Sequence, residues 1–531
     1  MSTVNASRHR AGPREWLGLA VLALPTLLLS IDVSVLHLAV PHISGSLDAS
    51  ASQMLWIIDI YGFMIAGFLV TMGTLGDRIG RRRLLIIGAA AFGIASVAAA
   101  YATSPALLIA ARAALGVAGA TLMPSTLALI TNMFRDAKER GLAIAVWVTM
   151  FSVGIALGPV VGGAMLELFW WGSVFLLGVP IMAMLLVTAP WLLPEYRDPE
   201  AGRLDLTSVA LSLSAILPVV YGLKELAKEG FSPAAGAAIA VGLVVGVLFV
   251  RRQRELTAPL LDLKLFRDPV FATALLTLLL SMLVAGGTYL FVTQYLQLVE
   301  GLSPMTAGLW LLPAAFALIV TSMLAPVAAA RYRPAHVVAA GLAVSAVGHL
   351  MLSLVGPSSG LSQLVIGFLL VYAGGGPLIA LGTAIVIGSA PPEQAGSASA
   401  VSETSTELGM ALGVALLGSL GTALYRSQVE VPAQVPAAAS GIAEQSLPGA
   451  SAVAQDLPAP VGETLLVSAR EAFTSGLNAV AVVGTVLALA SAVLVAVVIR
   501  TPPSGSTEGA DEAPAEGSGG AAPGEDVPAA L

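Results

Sequence analysis

Five charged side chains stand in stretches otherwise built for lipid. Asp32 lies in LLLSIDVSVLHLAVP (27–41), Asp59 in LWIIDIYGFMIAGFLV (55–70) and Arg112 in LLIAARAALGVAGATLMPST (107–126). Glu403 and Glu407 lie in SAVSETSTELGMALGVALLGS (399–419). A charge inside a bilayer costs several kcal/mol unless it is paired or faces water, so its presence points to work. A carboxylate in low dielectric can be neutralised by a proton or by an organic cation beside it, but not easily by both. Arg112 sits about seven residues in from one membrane face, at a depth close to that of Asp32 and Asp59. Two carboxylates and one guanidinium in one layer predict a cluster of net charge −1. Glu403 and Glu407 are four residues apart and share a helix face. A dipole-favoured acid at a wet helix start is the plainer alternative for both.

The elements that must hold these groups follow from composition. The chain has 531 residues, 57% hydrophobic and 11% charged, with a mean hydropathy of +0.88. Soluble proteins carry about a quarter charged residues. A hydrocarbon core roughly 30 Å thick needs about 20 apolar residues per helix, and such runs recur from end to end. The chain is expected to be an all-α polytopic membrane protein. Its 55 glycines and 32 prolines suit packed, kinked membrane helices. With no cysteine, disulfides, thiolate catalysis and Cys-ligated metals are excluded. No catalytic constellation or soluble output domain is visible, so an enzyme or a sensor is not expected.

Apolar runs predict 14 spans, near 16–40, 53–73, 83–102, 105–133, 142–166, 171–192, 205–224, 232–250, 270–293, 305–328, 335–355, 361–389, 399–424 and 475–499. With the N-terminus inside, 20 of the 25 Lys and Arg fall on the cytoplasmic side, so both termini are expected there. The expected organisation is a cytoplasmic arm (1–15), a six-helix bundle (16–200), two linking spans (201–255), a second six-helix bundle (256–500) and a disordered cytoplasmic tail (501–531). Segment 427–474 is expected as one long outside loop with short surface helices such as 462–474.

Two ordered motifs accompany the charges. The turn GTLGDRIGRRRLLIIG (73–88) sets Gly73, Asp77, Arg78, Gly80 and Arg81 between the second and third spans. Its glycines let helix ends approach, and Asp77 can accept from an Arg or a helix N-terminus. In the fifth span, SVGIALGPVVGG (152–163) puts Gly154, Gly158, Gly162 and Gly163 on a close-packing stripe, kinked at Pro159.

These stretches resemble the signature motifs of the major facilitator superfamily: its loop-2/3 motif, its helix-4 arginine motif and the Gly-x-x-x-Gly-Pro-x-x-Gly-Gly motif of its exporters. SIDVSVLHLAVP is similar to the helix-1 Asp signature of the fourteen-helix drug:proton antiporters. Within them the chain resembles the quaternary-ammonium and fluoroquinolone efflux pumps, from about residue 15 to 500. It departs from many relatives at His37-Leu-Ala-Val-Pro, where Asn is usual, and in the tenth span, MTAGLWLLPAAFALIVTSMLAP, which lacks an acid. The superfamily's halves are parallel repeats. A trace survives here, because LAPVAAARYRPAHVVAAG (324–341) mirrors 72–88, with Arg331 at the place of Arg78.

The resemblance implies two six-helix bundles plus two extra helices in a bacterial cytoplasmic membrane. It implies proton-coupled export of lipophilic cations such as quaternary ammonium compounds, dyes or fluoroquinolones, by a monomer with no cofactor, metal or nucleic acid. Asp32, Asp59, Glu403, Glu407 and Arg112 would serve cation binding and proton coupling. The loop motif would latch conformations, and the fifth-span stripe would seal against leak. A dedicated exporter of a self-produced antibiotic or metabolite is the alternative; nutrient symport is disfavoured by the Gly-Pro-x-x-Gly-Gly stretch. His37 and His42 are read as wet residues at an outer helix end, and Trp147, Phe151, Tyr289, Phe291 and Trp310 as candidate liners of a cavity for flat cations.

Overall fold

A computed structural model describes residues 11–499, except 135, 196, 198–204, 230–231, 257–258, 260–262, 357–359 and 390–394. Most of the expected arm and the whole expected tail lie outside the described residues. Fourteen helices are long and apolar enough to cross a membrane, and there is no strand among the described residues. They are α1 (Pro13–Leu47), α2 (Ala51–Ile79), α3 (Arg81–Ala100), α4 (Pro105–Met133), α5 (Ala137–Leu168), α6 (Ser173–Leu176 continued by Gly178–Leu192), α7 (Leu206–Glu229) and α8 (Pro233–Glu255). The second series is α9 (Pro269–Gln294), α10 (Pro304–Ala329), α11 (Pro334–Leu352), α12 (Leu361–Gly388), α13 (Ala395–Gln428) and α14 (Ala459–Val498). Helix starts follow local chemistry. Ser50, Ser104, Ser232, Asp268 and Ser303 each accept an amide of the first turn, and four of these five precede a proline.

The two halves repeat one packing plan. In the first, α1 packs on α5, α2 on α4, and α3 on α4 and α6; in the second, α9 packs on α13, α10 on α12, and α11 on α12 and α14. Glycine seams set the register. Gly154 abuts Ser30 and the Leu27 carbonyl, and Gly158 abuts Ser34 and the Ile31 Cα. Likewise Gly409 abuts the Leu279 carbonyl and Gly413 abuts the backbone of Leu283. Matching these seams pairs Ile31 with Leu283, hence Asp32 with Val284 and His37 with Tyr289. Gly88 against Thr121 and the Ala118 carbonyl matches Gly341 against Pro377 and the Gly374 carbonyl, which pairs Arg112 with Phe368.

The halves meet through a second symmetric pair of contacts, α5 on α10 and α2 on α13. Gly163 abuts the backbone of Pro304 and Met305, and Gly308 abuts the Pro159 carbonyl. Gly62 faces Ala411, and Gly418 faces Leu55. Hydrogen bonds crossing the halves include Tyr289 Oη to the Ser34 carbonyl at 3.4 Å and Met305 N to Glu167 Oε1 at 3.3 Å. All these contacts lie toward the side opposite the chain ends, here the loop side. Bonds on the side of the chain ends, such as Ala11 to Glu139, Arg14 to the Trp191 carbonyl and Arg82 to the Leu193 carbonyl, stay within the first half. The molecule is therefore closed on its loop side.

The extra pair α7–α8 leans on α2 and α13, with Val220 of α7 in a cluster with Phe63, Ala411 and Ala415. Asp205, Ser208, Arg252 and Gln253 tie its two helices together, Arg252 Nη2 to Asp205 Oδ1 at 3.0 Å and Gln253 Nε2 to Ser208 Oγ at 2.7 Å.

Segment 427–474, expected as one long outside loop with short surface helices, is helical over much of its length. It holds two short helices, Ala437–Ala443 and Leu447–Gln455, and then the first turns of α14, so 462–474 belongs to the last span itself. Leu447, Ala450, Leu465 and Ala469 are buried, Tyr425 Oη donates to the Ala443 carbonyl at 2.8 Å, and Arg470 Nε donates to the Leu298 carbonyl at 3.0 Å. The sequence hid this extension because Glu463, Arg470 and Glu471 break the apolar run in the first turns of the helix.

Candidate functional site

Asp32 and Arg112 form a direct pair, Arg112 Nη1 donating to Asp32 Oδ2 at 2.6 Å. Their side chains are 8% and 1% exposed. Arg112 Nε donates to the Ile57 carbonyl at 3.2 Å, and the guanidinium lies 4.3 Å from the centre of the Tyr61 ring. Thus α1, α2 and α4 together hold one guanidinium by an ion pair, a carbonyl and a π face. These are the partners a buried Arg requires. The α1 backbone can approach because Ser30 and Ser34 turn their hydroxyls back to carbonyls of their own helix, at 2.8 and 3.0 Å.

Asp59 is buried, 2% exposed, but it belongs to a different face of α2. Leu55 touches Gly418 and Gly62 touches Ala411. Asp59 falls between them by helical spacing, so it lies on the seam with α13. Ile57 and Tyr61 face Arg112 instead. The single layer expected from the sequence therefore divides into a paired Asp32–Arg112 and an Asp59 on the inter-half seam.

Glu403 and Glu407 are both half-buried. Glu407 lies one turn before Ala411, its carbonyl against Gly62, and Glu403 one turn further. Both stand on the α13 face that meets α2, one and two turns from Ala411 toward the side of the chain ends. Because α13 starts at Ala395, neither acid sits in the first turn, and the dipole explanation weakens. Helix α2 thus has Arg112 on one flank and these acids toward the other.

The loop motif is tied together by local contacts. Gly80 takes φ +111°, a backbone that side chains rarely adopt, and joins α2 to α3. Arg81 Nε donates to Asp77 Oδ1 at 2.8 Å, and Gly76 admits the Arg81 side chain. Arg82 donates its backbone N–H to Glu195 Oε1 at 3.1 Å and its Nη1 to the Leu193 carbonyl at 2.9 Å; Arg83 lies 3.8 Å from the same carboxylate. Arg78 is exposed. A methyl on Gly73 would lie 4.0 Å from Pro124 Cβ, an ordinary contact, so its packing does not require glycine. Sequence reasoning missed Glu195; an acid in LLPEYR right after an apolar span was the available signal.

The fifth-span stripe faces α1 through Gly154, Gly158 and Gly162, the last against Val35. Past Pro159 it turns to α10 through Gly163. It therefore joins the helix carrying Asp32 to the opposite half.

The aromatic residues divide. Trp147 is half-buried and donates Nε1 to Thr126 Oγ1 at 3.1 Å, and Phe151 is half-buried beside it. Phe291 is buried on Phe473, which does not suit a cavity wall, and Trp310 is exposed. His42 is exposed as read, but His37 is not a wet end residue: it is 2% exposed, packed against Tyr289.

A family model described as Major Facilitator Superfamily matches residues 22–414. The "Multidrug efflux pump LfrA" of Mycolicibacterium smegmatis is 48% identical over 494 residues, 93% of this chain and 98% of that one. The "Methyl viologen resistance protein SmvA" of Salmonella typhimurium is 35% identical over 466 residues, 87% of this chain and 93% of that one. Among solved structures, a bacterial homologue of the lysosomal transporter Spinster superposes with a TM-score of 0.66 at 17% identity. That match covers 93% of this chain and all of that one, so it bears on the fold alone.

Proposed function

The chain belongs to the major facilitator superfamily as a multi-pass protein of the bacterial cytoplasmic membrane, and from that premise we propose that it is a proton-coupled antiporter exporting lipophilic cations. The carrying observation is the pairing of Asp32 with Arg112 on one flank of α2, while Glu403 and Glu407 stand on the α13 face that meets its other flank. Arg112 balances one acid, which leaves carboxylates on α13 as seats for a cation or a proton. A flat cation entering from the side of the chain ends meets Glu403 and Glu407 first and displaces protons there. Rocking of the halves then exposes the site to the loop side, where protons displace the cation. Each proton moving inward supplies roughly 2.3 kcal/mol per 100 mV. The cycle uses protons and no cofactor, and one chain holds both halves. The names of LfrA and SmvA support this reading, methyl viologen being itself a flat dication.

The test is proton release from detergent-solubilised protein on adding tetraphenylphosphonium, beside Asp32→Asn, Asp59→Asn, Glu403→Gln and Glu407→Gln. Release in the wild type that disappears in a variant identifies the exchanging carboxylate. Folded wild-type protein that releases no protons removes the cationic reading and turns the search to neutral or anionic metabolites.

A further inference from the structure

His37 and Tyr289 occupy matching places in the two halves and meet edge to face, ring centres 4.9 Å apart and planes at 87°. Tyr289 continues into Phe368 and Tyr372, with centres 6.2 and 4.5 Å apart, and its hydroxyl donates to the Ser34 carbonyl. The contact lies in the closed loop side. His37 Nδ1 is buried with no hydrogen-bond partner. Nothing in the exchange described above uses this imidazole, and a structural histidine in such a place normally has both nitrogens satisfied.

The groups around it are few. On α1 and α4 stand Asp32 and Arg112, which neutralise each other, with the Tyr61 ring of α2 over the guanidinium. Asp59 of α2 lies on the seam with α13. From α9 and α12 come Tyr289 and Tyr372. Glu167 of α5 is exposed and accepts from Met305 N. The part of α10 near the contact, 304–315, and the helix Leu447–Gln455 carry no titratable side chain. An imidazolium closed into this contact would bury a charge whose Nδ1–H has no acceptor, which is costly. The same ring, wetted when the halves separate, takes a proton at Nδ1 from loop-side water without that cost.

We propose that the His37–Tyr289 contact is a proton-responsive gate: it closes on the neutral imidazole and is released when a loop-side proton binds Nδ1. A ligand that binds the open form better shifts the population toward it, and here the ligand is the proton. The gate stands on the contact itself; it rests on the antiport reading only for the direction in which an acidic outside would drive it.

The natural chain has no cysteine, so spin labels at Thr103→Cys and Ser362→Cys report the loop side alone. Both residues are exposed, Thr103 in the α3–α4 turn and Ser362 in the first turn of α12. Distances are measured on the full chain in nanodiscs, without drug, from about pH 8 to about pH 5.5, a window that spans imidazole titration. The long-distance population is expected to rise about tenfold in the wild type and to stay flat in His37→Phe, which keeps a ring, and in His37→Gln, which keeps a polar group. Tyr289→Phe keeps the rise. Each variant is first required to match wild-type elution and its distances at the alkaline end. A wild type that does not respond overturns the gate. So does a rise that persists in both His37 variants, or one that Asp32→Asn removes while His37→Phe does not. Because no drug is present, failure here leaves the cation-exchange test standing, and failure there leaves this one standing.

Discussion

In the first half Asp32 and Arg112 meet at 2.6 Å between α1 and α4. At the matching places of the second half stand Val284 and Phe368, both buried. The seams that position them are alike, glycine on α5 against α1 and glycine on α13 against α9. The comparison separates two jobs. Backbone packing is shared, so both halves can rock as similar rigid bodies. Charge at these places is not shared: the first half carries an ion pair where the second carries an apolar counterpart.

The strongest way to test that division is to give the first half the second half's residues. Arg112→Ala alone leaves Asp32 buried and unpaired, with an expected loss of about 3–5 kcal/mol of stability. Asp32→Val with Arg112→Phe removes both charges and should recover most of that loss, because apolar replacement of a buried pair is often near neutral. Proton-driven dye transport in inverted vesicles should be absent from both. Thermal unfolding in detergent together with transport separates the outcomes. A double variant that folds and still transports with a proton gradient would show that the pair is only a brace.

The seams offer a smaller contrast. A methyl at Gly158 meets the Ser34 hydroxyl, whereas one at Gly413 meets the Leu283 backbone. Each alanine is expected to cost about 1–3 kcal/mol by overpacking. Gly158→Ala should be partly rescued by Ser34→Ala, since that hydroxyl bonds only to carbonyls of its own helix in this seam. No side-chain deletion relieves Gly413→Ala. Equal rescue in both halves, read from unfolding temperatures, would mean that α1 and α9 shift as bodies and the seams are not rigid.

Much of this was legible in the chain. The fourteen spans, the depth of Asp32 and Arg112 and the glycine stripe of α5 follow from apolar period and composition, which fix where a residue sits along a helix. Direction around the helix axis was harder to read. Asp59 and Tyr61 are two residues apart, yet one lies on the seam with α13 and the other under Arg112; only the neighbours of α2 decide this. His37 was read as wet from its place near a helix end, but the α9 backbone delivers Tyr289 onto it. Glu195 is the same kind of case, an acid whose partners arrive from a turn more than a hundred residues earlier. Tertiary packing carries that information, and local pattern does not.

The weakest effects are expected where the repeat has decayed furthest. The α2–α3 turn keeps Gly80 at φ +111°, the Asp77–Arg81 pair and Glu195, while the α10–α11 turn has Arg331, Tyr332 and Arg333 exposed and Pro334 at the place of Arg81. Gly80→Ala should cost about 1–3 kcal/mol, because a methyl is strained at that φ and also collides with the Glu195 carboxylate. Glu195→Gln loses only half-exposed ion pairs, about 1 kcal/mol or less. Arg331→Ala, at an exposed position, should stay within about 0.5 kcal/mol. Transport rates decide what this turn is for. If Gly80→Ala and Glu195→Gln slow transport more than their stability losses explain while Arg331→Ala does not, the first-half turn restrains a moving part. If all three scale with stability, it is an anchor like its counterpart, and the asymmetry between the halves is confined to Asp32 and Arg112.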